Sequence, residues 1–233
     1  MTAPTTALAE AVWAALGTVH DPELDQPITE LEFVASCTVS DDGVASVRLR
    51  LPTFFCAPNF AWLMVADAHD AVGAVPGVTR ADIVLDDHFA AATINEGVAA
   101  RAGFVAAFPG EAQSELDELR MVFLRKAALA GQDRIARPLV DAGAAPEDLA
   151  GTRLGDLPSS ADLDRLRRRR AAVGLPHGPD APLLLHPDGA PVAADQVPLH
   201  LRRARLTRVG IEANTHTCRD LLAARYPEEV VSS

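Results

Sequence analysis

The sequence predicts an α+β protein: a small two-layer domain of helix–strand–strand–helix–strand order, then a mainly α-helical region with a short hairpin. Three observations carry this. Apolar residues recur at helical spacing over 6–19 and 60–72. They alternate with a period of two over 31–39, 45–51 and 78–86. After His88 the composition turns Ala-rich and the strand period is lost.

Each element has its own signature. Leu8, Val12, Ala15, Leu16 and Val19 share one helical face, and Pro22 prevents the helix from continuing. Leu31, Phe33, Ala35, Cys37 and Val39 fall on one face of a first strand. Ser40-Asp41-Asp42-Gly43 supplies turn chemistry, with Gly for positive φ. Ala45, Val47, Leu49 and Leu51 then alternate with Ser46, Arg48 and Arg50, a second strand antiparallel to the first. Pro52 ends it. Pro58 suits the first turn of a helix whose apolar face holds Phe60, Leu63, Met64, Ala68, Ala71 and Val72. Pro76-Gly77 marks a turn before a third strand carrying Ala81, Ile83 and Leu85 on one face.

Further on, the pattern predicts helices over 94–106, 115–130 and 132–142, with Gly131 and Gly143 as punctuation. Another covers 161–173 and stops at Gly174. Leu183–Val192 reads as a hairpin around Asp188-Gly189. Helices over 196–209 and 216–226 follow, with Gly210 and Pro227 as stops. The expected division is 1–92 and 93–233, with Phe108-Pro109-Gly110 as a hinge.

Charge is unevenly placed. The first 100 residues hold 3 Arg and 14 Asp and Glu, so the whole net charge of −11 falls there. Phosphate repels such a surface, so no nucleic-acid partner is expected. A metal-handling or basic-partner surface is compatible with it. No apolar run is long enough to span a bilayer, and no basic segment precedes an apolar block at the N-terminus. No membrane partner is therefore expected. Three widely spaced cysteines, Cys37, Cys56 and Cys218, make no disulfide framework and suit a reducing cytoplasm.

Cys56 carries the strongest chemical signal. It sits at a strand-to-helix junction, where unpaired N–H groups and the helix dipole favour a thiolate. A thiolate is the form that ligates metal; the alternative is a small apolar filler. Cys37 reads as a core cysteine on the apolar face of its strand. Cys218, in His216-Thr217-Cys218-Arg219, lacks the usual zinc spacings. Asp21 and Glu23 stand in a loop where they either terminate a helix or bind a hard metal or a water beside Cys56. His88 ends the third strand; pairing with Cys56 would make it a metal ligand or the base of a thiol enzyme. The basic run Arg165-Leu166-Arg167-Arg168-Arg169-Arg170 reads as a solvated helix face.

Taken in order, Asp21-Pro22-Glu23-Leu24, Ile28–Val34, Leu49-Arg50-Leu51-Pro52-Thr53-Phe54-Phe55-Cys56-Ala57-Pro58, Val75-Pro76-Gly77-Val78 and Ile83-Val84-Leu85 resemble the metal-sulfur cluster assembly factor family, SufT- and PaaD-like, over roughly 8–88. The resemblance implies the α/β unit already described and a role in maturing iron–sulfur or other metal-dependent proteins. It places Cys56 at the reactive position, Asp21 and Glu23 on the acidic loop, and Thr53 and Pro58 in support. The sequence departs from the family pattern in Cys56-Ala57-Pro58, where Cys-Pro is usual, and in Glu32, where Gly is common.

The expected role is accessory, without turnover of a small substrate. A transient iron–sulfur cluster or iron would be handled, none stably bound per monomer, because a cluster takes four protein ligands as a rule. The missing ligands would come from a client apo-metalloenzyme, a homodimer or a small thiol. Alternatives are a thiol-dependent enzyme using Cys56 and a degenerate recombinase-like DNA- or protein-interaction module. The latter rests on 183–226, where His216 and Arg219 resemble the His-x-x-Arg pair of tyrosine recombinases, with Tyr226 close behind.

Overall fold

Alternation in the first half resolves into three strands. A computed structural model describes residues 3–227. In it α1 spans Ala3–Leu16, β1 Val34–Val39, β2 Val44–Leu49, α2 Pro58–Gly73 and β3 Arg80–Leu85. The sheet order is β1-β2-β3. β1 and β2 form an antiparallel hairpin with Cys37 opposite Val47, and β3 runs parallel to β2 with Ile83 opposite Val47. A parallel neighbour needs a crossover, and α2 provides it. Pro58 occupies the first turn of α2, where its missing N–H costs nothing.

The expected inward face of β2 is the observed one. Ala45, Val47, Leu49 and Leu51 are all buried, together with Ile83 and Leu85 of β3 and Val12 and Leu16 of α1. β1 differs. The register shifts between Val34 and Ser36, so the alternation slips and Ala35 is exposed rather than inward. Leu31 and Phe33 are buried but precede the strand. Cys37 is half-buried against the core, and burial raises its thiol pKa. The β1–β2 turn needs its glycine. Gly43 has φ +82, and a Cβ there would lie 2.5 Å from the Gly77 carbonyl oxygen.

The helical region is divided differently from the expectation. α3 covers Ala91–Ala99, α4 Phe104–Ala107, α5 Asp117–Asp141, α6 Pro146–Gly151, α7 Ala161–Ala172 and α8 Val197–Arg225. Gly131 does not punctuate. It lies inside α5, where a Cβ would come within 3.2 Å of Leu166, so close packing keeps the helix whole. Gly210 likewise lies inside α8, not at a stop. A glycine costs a helix interior only about 1 kcal/mol, which helices tied down on both sides of it absorb. The hairpin at 183–192 shrinks to a turn with one isolated bridge, Leu185 to Pro191. α7 does stop before Gly174, which has φ +72.

Two compact units result. One comprises 1–117 together with 214–233, the other 118–213. In the second, Leu149, Leu154, Leu163, Leu166, Leu183 and Leu184 form the core. The basic run of α7 is only partly solvated. Arg170 is fully buried and donates to the carbonyl oxygens of Pro182, at 2.7 Å, and Leu183. Burial lowers its guanidinium pKa to about 10. Arg208 and Arg134 are engaged by Asp133, Asp162 and Glu212. Among the described residues no helix is long and apolar enough to cross a membrane.

Candidate functional site

The acidic loop is organised by its own first carboxylate. Asp21 Oδ1 accepts the N–H groups of Glu23 and Leu24, each at 2.8 Å, while Asp21 N–H donates to Gln26 O. The side chain is buried. Burial raises its pKa to about 6 against the lowering effect of those two donors. Asp25 closes the turn in the left-handed region at φ 54, which Asp tolerates.

Cys56 ends the turn that joins β2 to α2. Its N–H donates to Thr53 O at 3.4 Å, and its sulfur lies 3.3 Å from Thr53 Oγ1, where either group can donate. The thiol is half-buried. Pro58 begins α2 two residues on, so the sulfur sits just outside the helix N-terminus. His88 is buried beside it but does not face the sulfur. Its Nε2 donates to the Cys56 carbonyl oxygen at 2.7 Å and its Nδ1 accepts the Ala90 N–H at 3.2 Å. Both ring nitrogens are thereby engaged by backbone. Burial, with the nearby Arg225 charge, holds the imidazole below its ordinary pKa. His88 thus positions the Cys56 main chain and offers the thiol no base.

The last turns of α8 join this neighbourhood. Cys218 is half-buried, and its thiol pKa rises to about 11, first through burial and then through the fields of Asp21, Cys56 and Glu23. Cys56 and Cys218 both pack against the core of the first unit. Asn214 Nδ2 donates to Glu23 Oε1 at 3.2 Å, and Arg219 Nη2 to Gln26 Oε1 at 3.0 Å and to Glu30 O at 3.3 Å. Arg225 donates to Leu51 O at 2.9 Å and pairs with Asp87, which also accepts the Tyr226 hydroxyl at 3.1 Å. The Arg50 guanidinium lies 4.9 Å from the Tyr226 ring centroid. Arg219 and Tyr226 are thus spent on structure. His216 is exposed.

Sequence reasoning gave Cys218 little weight and did not single out Asn214 or Arg225. A signal existed: Thr215, Cys218 and Leu222 recur at helical spacing and all lose exposure. Beside Cys56 the surface carries a further feature that the sequence reading did not single out, a cluster of Phe54, Phe55 and Phe89. They are 41%, 77% and 52% exposed, with ring centroids 5.0 to 6.4 Å apart. Among the described residues no three His, Cys, Asp or Glu side chains are placed to hold a metal ion.

Fold and cluster together define a thiol-bearing α+β domain with an acidic loop. More particularly, residues 9–83 match the model of a family described as iron-sulfur cluster assembly protein. Residues 9–83 are thus similar to iron–sulfur cluster assembly proteins, a likeness that supports a general role in iron–sulfur cluster assembly. No curated protein and no solved structure matches the chain.

Proposed function

We propose that the first unit holds an iron–sulfur cluster or iron transiently and passes it to a client apo-metalloenzyme through Cys56 beside the Asp21–Glu23 loop. The observation that supports this most is the half-buried Cys56 thiol, held beside Thr53 at the turn before α2, within the segment that matches an iron–sulfur cluster assembly family. A cluster bound by protein takes four ligands as a rule. One chain offers two thiols here, so a client or a second copy supplies the rest. Such partial ligation suits cargo that must leave: incoming thiolates replace Cys56 as ligands.

The exposed Phe54, Phe55 and Phe89 give the client an apolar foothold next to the thiol. Thr53, at 3.3 Å from the sulfur, orients it. The role is accessory, and the engagement of both His88 nitrogens supports this over a thiol-dependent enzyme.

The test is anaerobic loading with ferrous iron and sulfide, followed by transfer to an apo-ferredoxin monitored by circular dichroism. Wild type, Cys56→Ser, Cys218→Ser and Phe55→Ser are compared. Cys56→Ser should lose at least tenfold in transfer with its fold intact, and Phe55→Ser should slow transfer without changing loading. Equal loading and equal transfer by wild type and Cys56→Ser would defeat the proposal.

A further inference from the structure

A cavity of about 250 Å³ opens in the second unit between α5 and the 175–187 segment. Its walls include Val122 and Leu129 of α5 and Leu175 and Leu185 facing them. At its buried end the Gln132 carboxamide is tied to Leu185 and His200. Leu185 N–H donates to Gln132 Oε1 at 2.8 Å, Gln132 Nε2 donates to Leu185 O at 3.2 Å, and His200 Nε2 donates to Gln132 Oε1 at 3.0 Å. That end therefore offers no acceptor to an entering donor group, and the leucine and valine walls favour an apolar body there.

The open side carries charge of one sign. Arg125 and Lys126 line the cavity and are exposed. The Lys126 ammonium lies 4.6 Å from the Phe123 ring centroid, whereas Arg125 makes no ion pair among the described residues. A free guanidinium presents a planar fork of donors that matches a carboxylate. The volume falls just under that of pockets for drug-sized ligands, so the ligand is smaller.

We propose that this cavity binds a small amphipathic carboxylate, with its apolar body against Val122, Leu129, Leu175 and Leu185 and its carboxylate on Arg125. The ligand is a short- or medium-chain acid, bound independently of the chemistry at Cys56. A molecule of this size in an apolar pocket with one ionic contact binds with a Kd on the order of 100 µM.

Octanoate, octanol and octylamine are the probes, titrated calorimetrically into the full chain. Wild type should bind octanoate saturably and octylamine not at all. Arg125→Ala should weaken octanoate about tenfold and leave octanol unchanged. Leu129→Trp, which fills the cavity, should abolish both, with circular dichroism confirming that the variant is folded. Absence of saturable octanoate binding to wild type overturns the proposal. So does octanoate binding that ignores both substitutions, or octylamine binding as well as octanoate. Should Leu129→Trp fail to fold, Arg125→Ala alone decides: an unchanged octanoate affinity overturns the assignment.

Discussion

Arg225 Nη2 lies 2.6 Å from Asp87 Oδ2, joining the end of α8 to the loop after β3. The same guanidinium donates to Leu51 O, at the end of β2. One side chain thus holds the last helical turn against the segments that follow β2 and β3. Arg225→Ala should lower stability by about 1–2 kcal/mol, because the Leu51 and Asp87 carbonyl oxygens and the Asp87 carboxylate lose their donor. It should also speed labelling of Cys218 by a water-soluble disulfide reagent. Urea midpoint and labelling rate check this; an unchanged labelling rate would show that the clasp does not guard the thiol.

Asp21 makes stability depend on pH with a definite sign. Its folded pKa of about 6 lies above the ordinary 3.8, so the folded state holds the proton more tightly. That contribution is fully present below pH 4, falls as pH rises through 6, and is absent above. The shift corresponds to roughly 3 kcal/mol. Asp21→Asn keeps an oxygen for the Glu23 and Leu24 N–H groups and removes the titration. The stability difference between the two proteins should therefore change between pH 4 and 6 and stay flat above 7, with the Asn variant the more stable there. Urea unfolding at several pH values measures it, and a pH-independent difference would contradict it.

Glu32 sits at φ 60, in the left-handed region that L side chains rarely adopt. The family resemblance noted Gly as common at this place, and the backbone now supplies the reason. Glu32→Gly should stabilise by about 0.5–1 kcal/mol, relief of strain outweighing the added freedom of the unfolded chain. Thermal melting shows the sign; a lower melting temperature would refute it.

Arg170 is a buried cation with carbonyl acceptors in place of a carboxylate. Arg170→Ala should cost about 3–5 kcal/mol, since it strands the Pro182 and Leu183 carbonyl oxygens and opens a void. Arg170→Met, which keeps the bulk, should cost about half of that. Hydrogen exchange over α7 and 175–185 follows the loss, and equal protection in all three proteins would rule the role out.

The strand period made the three strands and the inward face of β2 legible, because burial on one side of a sheet imposes alternation. It could not show the slip at Val34–Ser36, which is set by pairing and not by composition. Gly131 and Gly210 misled for the same physical reason: a lone glycine weakens a helix only slightly, and tertiary contacts outvote it. At the candidate site, the position of Cys56 before α2 and the turn around Asp21 follow from local sequence. The orientation of His88 was not legible, because neighbouring residues do not reveal which atoms a ring nitrogen will meet. Nor was the arrival of Cys218, from a place 162 positions further along the chain than Cys56.

That last contact has a bearing on how the protein is made. Residues 214–226 belong to the first unit, with Arg219 bonded to Gln26 and Arg225 to Leu51. On the ribosome these partners emerge only after all of 118–213. The N-terminal unit therefore spends most of its own synthesis without its closing helix, and Cys56 leaves the exit tunnel uncovered. Long-range closure of this kind is slow. A nascent chain thus passes through a stage in which the thiol is open to oxidants and to metal ions before the finished fold limits access to it.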